Sequence, residues 1–345
     1  MLAEWDSRFG ATLIAWPHAA TDWAPMLADV DRCYLNITAA LVRAGQRILI
    51  VTPEPGRVRA LINTLPEECR PSADALVLAE MPTNDTWTRD YGPLTIEESE
   101  QTALVSYCFN GWGLKFPADK DNLVALRLRQ QGVLAGPISV RKGYVLEGGS
   151  IESDGCGTIL TTSECMLSVN RNGFPGKEGV ERELASGLGA GHVLWLDHGA
   201  LVGDDTDSHV DTLARFAPDD TIIYVKSYDP SDPHTPELDR MEEQLRAFRT
   251  AAGLPYNLIA LPLPSPIYDE DGERLPATYA NFLITPRAVL MPVYGQKAND
   301  DMAVRMLRIA FPDREIITVD CRALIRQHGS LHCATMQLSD TSFNS

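Results

Sequence analysis

The stretch His328-Gly329-Ser330-Leu331-His332-Cys333-Ala334-Thr335-Met336 sets a cysteine after a glycine-permitted bend and a short apolar step, with small and polar residues following. That order suits a thiol presented at the mouth of a loop better than one packed in a core. A single cysteine is commonly inert, because reactivity depends on the groups around the thiol. Three other stretches offer such groups: Trp87-Thr88-Arg89-Asp90-Tyr91-Gly92, Glu147-Gly148-Gly149-Ser150 and His209-Val210-Asp211. They lie far apart along the chain, and an architecture that gathers them is needed before they mean anything.

Working outward, apolar β-rich runs alternate with helical patterns in five strand–helix–strand units. The first is a strand over 11–16, a helix over 23–44 and a strand over 47–51. The next three read 103–109, 121–131 and 138–145; then 158–169, 177–188 and 192–196; then 221–227, 237–252 and 257–261. The last reads 280–292, 300–311 and 315–320, with Asp300 ahead of an apolar-periodic run; Gly45, Gly132, Gly189 and Gly253 follow last helical turns. Leu238, Met241, Leu245 and Phe248 share one helical face and read as core. Such α/β units fit either a doubly wound sheet or a five-bladed radial array. Asp90 and Glu147 each follow the closing strand of a unit or its extension, and Cys333 follows the last. Groups so spaced converge readily if every unit delivers a loop to one central axis, and radial repetition also protects sheet edges. The expected fold is therefore a five-bladed α/β propeller around a central site. Without a low-complexity tract or a long Gly/Ser linker, residues 1–345 are expected to form one domain.

The 345 residues are 44% hydrophobic, enough for a large core, and carry a net charge of −17. That charge argues against nucleic acid as a partner and is compatible with a cationic one. The seven cysteines are odd in number, scattered and free of C-x-x-C pairs, so neither a disulfide framework nor a zinc ribbon is expected. No basic leader precedes an apolar run, and the run over 11–17 is too short to span a bilayer, so a cytoplasmic address without membrane contact is expected. Oligomeric state is not legible.

His209 and Asp211 point the same way if their segment is extended, and a carboxylate beside a histidine suits proton transfer near neutrality. The preceding Gly203-Asp204-Asp205-Thr206-Asp207-Ser208 is a polar, turn-prone loop. It lacks the glycine and glutamate of a calcium loop. The aromatic residues beside Asp90 suit a cation site. Glu147 precedes two residues without side chains, where a ligand can approach closely. Zinc is disfavoured because His332 and Cys333 are adjacent, and neither a serine-hydrolase elbow nor a nucleotide fingerprint is present. No metal and no cofactor are expected. Cysteine, histidine and several carboxylates together suit a planar cation whose central carbon must be attacked. A guanidinium stays charged, Asp90 and Asp211 can fork its N–H groups, and a Cys333 thiolate can attack its carbon. His209 would then protonate the departing ammonia and activate water.

The run Trp87–Pro93, the Glu147–Ser150 stretch, Gly203–Asp211 and Leu331–Cys333 resemble agmatine deiminases and the related bacterial, Porphyromonas-type peptidylarginine deiminases. The resemblance covers nearly the whole chain, including Arg274-Leu275-Pro276 and the 279–282 stretch, and it too implies the five-bladed propeller. It implies Cys333 as nucleophile, His209 as general acid/base, Asp90 and Asp211 as holders of the guanidinium, and Trp87 packed along the substrate. It further implies Asn281 as an assisting residue, with Glu147 and Asp205 beside the substrate. Two departures stand out: agmatine deiminases commonly read G-G-N-I-H-C before the nucleophile, and they often carry Glu at the position of Asp205. The implied reaction is hydrolysis of agmatine to N-carbamoylputrescine and ammonia, a step towards putrescine. Peptidyl or free arginine is the alternative substrate, and a silent binder of polyamines or guanidines the alternative outside enzymes.

Overall fold

The computed structural model describes residues 1–344. Its sixteen strands are, in chain order, β1 (Ala11–Ala15), β2 (Arg47–Thr52), β3 (Leu76–Glu80), β4 (Leu94–Glu98), β5 (Gln101–Cys108), β6 (Ile138–Val145), β7 (Ile151–Ser153) and β8 (Thr158–Thr162), then β9 (His192–Leu196), β10 (Ala214–Ala217), β11 (Thr221–Lys226), β12 (Asn257–Pro262), β13 (Leu283–Ile284), β14 (Ala288–Val293), β15 (Glu315–Asp320) and β16 (Met336–Leu338). They form five sheets, ordered β16-β1-β2-β3, β4-β5-β6, β7-β8-β9, β10-β11-β12 and β13-β14-β15. This is the expected five-bladed α/β propeller.

Each sheet holds the parallel pair that the alternating pattern predicts, joined by a crossover helix. In the first, β1 and β2 run in register from Ala11 opposite Arg47 to Ala15 opposite Val51. Both strands are almost wholly buried, which is why they read as unbroken apolar runs. The helix Leu27–Arg43 between them buries Val30, Tyr34, Ile37 and Leu41, a single face at helical spacing. In the helix Thr235–Ala247, Leu238, Met241 and Leu245 are buried as expected, and Phe248 packs partly buried against the same cluster.

Every sheet also holds an antiparallel strand that the sequence reading did not find. β4 pairs with β5 and β10 with β11, and their hairpins turn at Ser99-Glu100 and Asp219-Asp220 with all four residues in the left-handed region. Such turns are usually announced by Asn-Gly or Asp-Gly, and here no glycine marks them. Other bounds move as well. The strand expected over 158–169 ends at Thr162 and gives way to the short helices Ser163–Met166 and Val169–Asn172. The run 280–292 is broken into β13 and β14 by a turn at 285–287. The helix expected over 237–252 stops at Ala247, where Phe248 turns extended. The last crossover helix begins at Lys297 rather than near Asp300, so Asp300 lies in its first turn, and its carboxylate accepts from the Tyr279 hydroxyl and the Tyr294 amide.

The ring closes through the chain ends. β16 pairs antiparallel with β1, Ala11 opposite Leu338, and takes the place in the first sheet that β4, β7, β10 and β13 take in the others. Five connections then run from the last strand of one sheet to the antiparallel strand of the next: 81–93, 146–150, 197–213, 263–282 and 321–335. They carry Trp87 and Asp90, Glu147, His209 and Asp211, Asn281, and Cys333. Among the described residues no helix is long and apolar enough to cross a membrane.

Candidate active site

The first connection holds a single helical turn, Thr88–Tyr91. The Thr88 hydroxyl donates to the carbonyls of Leu13 (3.1 Å) and Ala334 (3.0 Å), and the Arg89 amide donates to the Cys333 carbonyl (3.1 Å). The segment bearing Asp90 is thereby stitched to the segment bearing Cys333. Asp90 is buried; its Oδ1 accepts from the Gly149 amide at 3.0 Å and its Oδ2 from the Trp112 indole N–H at 2.9 Å. The second connection needs its glycines for close approach, but the approaching groups are the protein's own. A Cβ on Gly149 would lie 2.7 Å from His209 Nδ1, 2.8 Å from Asp90 Oδ1 and 3.0 Å from Asp211 Oδ2; one on Gly148 would lie 2.2 Å from the Arg89 carbonyl.

The third connection brings in His209 and Asp211, both fully buried. Val210–Thr212 is a turn of 3-10 helix rather than the extended segment expected, yet His209 Nδ1 and Asp211 Oδ2 both come close to Gly149. His209 Nδ1 faces Asp90 Oδ1 at 3.6 Å and its Nε2 faces Glu147 Oε2 at 3.3 Å. Asp211 Oδ2 is 2.7 Å from His332 Nδ1 and 3.8 Å from Cys333 Sγ. Two carboxylates of the acidic run before His209 have partners in the protein. Asp204 accepts from Thr206 and from the Ser208 amide, and Asp207 pairs with Lys115 and Arg171. Asp205 alone of the expected pair with Glu147 lines the cavity. Glu147 faces His209, and its Oε2 is held by Arg171 Nε at 2.7 Å. From the fourth connection, the Asn281 amide nitrogen lies 3.2 Å from Cys333 Sγ, and its Oδ1 accepts from the His332 amide at 2.9 Å.

Cys333 itself is only 6% exposed. It lies at the floor of a cavity of about 250 Å³ rather than at a loop mouth, with Trp87, Asp90, Trp112, Asp205 and Thr212 among the walls. Gly329 lets its loop lie flat on Trp87: a Cβ there would fall 2.4 Å from the ring. His209 and Asp211 stand directly behind this floor, and His209 Nδ1, Asp211 Oδ1 and Glu147 Oε1 are buried without a hydrogen-bond partner among the described residues. Unpaired buried polar atoms are costly. Asp211 Oδ1 belongs to the carboxylate beside Cys333 and suits a cationic ligand that supplies an N–H donor.

The electrostatics agree. Burial pushes Asp90 up to about 6, against the pull of His209 and of the Trp112 N–H. Burial also works against a charged His209, yet Asp90 and its other partners outweigh it and hold the imidazole well above its usual range. Burial likewise opposes a charged Asp211, but the His332 hydrogen bond and charge keep it below the usual carboxylate range. The Cys333 thiol is pushed up by burial and then by Asp211 and Asp90. A cation between the two aspartates would neutralise that repulsion and release the thiol proton. Since Asp90 must be ionised to hold a cation, kcat/KM for a guanidinium substrate should be lost as pH falls through about 6. Removing the indole donor by Trp112→Phe should move that limb upward. A pH–rate profile whose limb lies near 4 and does not move in Trp112→Phe would assign it to another group.

Two buried clusters have ligand-type atoms within 4.8 Å of one another, Glu147/Cys165/His209 and Glu4/Glu152/His332. In both, the positive charge that carboxylates attract is supplied by an arginine of the chain, Arg171 in the first and Arg215 in the second. Sequence reasoning passed over these arginines, Glu4 and Trp112. For Trp112 a signal existed, since glycines flank it on both sides. Residues 111–114 are all left-handed, and the bend turns the indole against Phe109 and Phe116 above Asp90.

Comparison with known proteins converges on one group. A model described as Porphyromonas-type peptidyl-arginine deiminase matches residues 1–339. The chain is similar to a Porphyromonas gingivalis protein provisionally named an arginine deiminase, with 44% identity, a TM-score of 0.92 and 99% of each chain covered. It is similar to a cysteine-to-serine variant of C. jejuni agmatine deiminase solved with substrate bound, at 32% identity and a TM-score of 0.89, over 99% of this chain and 96% of that one. A Shewanella sp. protein provisionally named agmatine deiminase is 32% identical over 98% of this chain and 93% of its own length.

Proposed function

Because the chain belongs to the Porphyromonas-type peptidyl-arginine deiminase family, hydrolases of guanidine C–N bonds, we propose that its substrate is agmatine, converted to N-carbamoylputrescine and ammonia. The observation that carries the chemistry is the meeting of Asp90, Asp211 and Cys333 from three separate connections, with the sulfur 3.8 Å from one carboxylate. The guanidinium lies between Asp90 and Asp211, and its charge releases the thiol proton to solvent. The sulfur attacks the guanidinium carbon and an S–C bond forms. His209, protonated at rest, gives its proton to the departing nitrogen as the C–N bond breaks and ammonia leaves. The neutral imidazole then takes a proton from water and the hydroxide adds to the thiouronium carbon; the C–S bond breaks to return the thiolate as the adduct's hydroxyl proton passes to solvent, which leaves the neutral ureido product. Asn281, its amide 3.2 Å from the sulfur, stabilises that anion.

The choice of agmatine rests on the charge of the cavity. Asp22, Asp85, Asp204 and Asp205 line it, and Arg326 is its one lysine or arginine side chain. Arg326 is already paired with Glu270, and Arg89 is turned away to Glu4 at 3.0 Å. An ammonium finds partners here; a free carboxylate finds one engaged cation. Leaving an anion buried and unpaired costs several kcal/mol. We expect kcat/KM for agmatine at least about a hundredfold above that for free arginine, equivalent to ~2.7 kcal/mol. Free or peptidyl arginine is the second reading, favoured by Arg326 and His328 on the rim. Ammonia release from agmatine, arginine and a blocked arginine peptide separates the three. Arginine or the peptide turning over as well as agmatine would overturn the substrate and leave the guanidine chemistry standing.

A further inference from the structure

Beneath the floor of the cavity lies a buried charge cluster that the reaction above does not use, and its hub is a residue of the N-terminal tail. Glu4 is 6% exposed although it precedes the first strand. Its Oε1 lies 2.7 Å from His332 Nε2 and 3.0 Å from Arg89 Nη1, and its Oε2 accepts from Arg215 Nη2 at 2.6 Å. Each partner adjoins a residue of the site. Arg89 precedes Asp90 and His332 precedes Cys333. Arg215 donates to the carbonyls of Ala280 (3.2 Å) and Phe282 (2.6 Å), on either side of Asn281. One carboxylate thus ties together three of the five connections that build the site.

His332 is the informative partner. Its ring nitrogens face two carboxylates, Asp211 Oδ2 and Glu4 Oε1, each at 2.7 Å. Both contacts are hydrogen bonds only when both nitrogens carry hydrogen. Burial and the adjoining Arg215 and Arg89 push the ring towards neutrality. Glu4 and Asp211 are the groups that work against this, while Arg215 Nη2, 3.1 Å from the ring Nε2, competes with Glu4 for it when the ring is neutral. The Nδ1–H then occupies Asp211 Oδ2 and leaves Oδ1 as the buried acceptor without a partner.

We infer that Glu4 is a positioning residue of the deiminase site, holding the His332 ring through Nε2 so that Asp211 keeps Oδ2 occupied and offers Oδ1 to the guanidinium. The inference rests on the reading of Asp211 and Cys333 given above, and not on which guanidine compound is the substrate. Neither Glu4 nor His332 lines the cavity, so their effect is exerted through Asp211.

Glu4→Asp tests this, because it keeps the charge opposite Arg89 and Arg215 while withdrawing the carboxylate from His332. It should retain the parent's thermal midpoint within a few degrees and lose about tenfold or more in kcat, with KM within about threefold, as expected when a reacting group is misplaced by about an ångström. In a His332→Asn background the same substitution should cost less than about twofold, since the link it breaks is already gone. Turnover of Glu4→Asp within twofold of the parent, or losses that multiply in the double variant, would overturn the positioning role. If the parent releases no ammonia from any guanidine, it is the substrate reading that fails. Alkylation of Cys333 by 2-chloroacetamidine, in which an S–C bond forms and chloride leaves, then carries the comparison. This amidinium needs the aspartates and the thiol but no turnover. It should react about tenfold more slowly with Glu4→Asp, and an unchanged rate would overturn the inference.

Discussion

Cys333→Ala is expected to lose roughly a thousandfold or more in turnover while keeping its fold and its affinity for the substrate. The size follows from the mechanism: without sulfur the guanidinium carbon has no nucleophile at the floor, and the aspartates can only bind. The fold should survive because the thiol's polar contacts are few. It meets the Asn281 amide at 3.2 Å and Asp211 Oδ2 at 3.8 Å, and removing one sulfur from a cavity floor costs only about 1 kcal/mol. Three measurements check it: ammonia release, thermal unfolding and equilibrium binding of the substrate. A covalent guanidine adduct of the intact chain should also be seen by mass spectrometry when His209 is replaced, since the water that resolves the thiouronium then lacks its base. Residual turnover in Cys333→Ala within tenfold of the parent would end the covalent mechanism.

The second large effect is expected from the cradle. Asp90→Asn and Asp211→Asn should each lower kcat/KM about 30-fold to several thousandfold, because truncating one partner of a buried, hydrogen-bonded charge pair costs about 2–5 kcal/mol. The two should differ in stability. Asp90 accepts from two donors, the Gly149 amide and the Trp112 indole. An asparagine must turn its NH2 towards one of them, and a donor left facing a donor in a buried site adds about 1–3 kcal/mol of destabilisation. Asp211 has only His332 Nδ1 within 3 Å and an open Oδ1, so an asparagine can still accept from the imidazole. Asp211→Asn should therefore unfold close to the parent and Asp90→Asn at lower temperature. Loss of less than about fivefold in kcat/KM would show that the aspartate concerned does not hold the guanidinium.

How much of this was legible beforehand can be seen residue by residue. Cys333, His209, Asp90, Asp211 and Asn281 do meet, as the motifs implied. Glu147 precedes two glycines, a pattern that suggests close approach; the groups that come close to Gly149 are His209, Asp90 and Asp211, and the Glu147 carboxylate is held by Arg171. Cys333 was read as presented at a mouth and lies on a floor. Burial of a loop residue depends on which other loops cover it, and nothing in its own neighbours along the chain records that.

The sequence by itself determined what is local: the parallel pairs and their helices, which follow from periods of two and 3.6 residues, and the residue types of the reaction, which follow from the chemistry of a guanidinium. The tertiary structure alone decided the partners. The antiparallel strands are two to five residues long in all five sheets and turn without glycine at Ser99-Glu100 and Asp219-Asp220, so no periodicity announces them. Glu4 and His332 stand 328 positions apart, and in the chain Glu4 is one acid among 47. Its burial at the propeller's centre arises because β16 closes the ring onto β1 and brings the two chain ends together. A contact made by ring closure carries no trace in the spacing of either end, and so only the folded ring shows that the N-terminal tail belongs to the site.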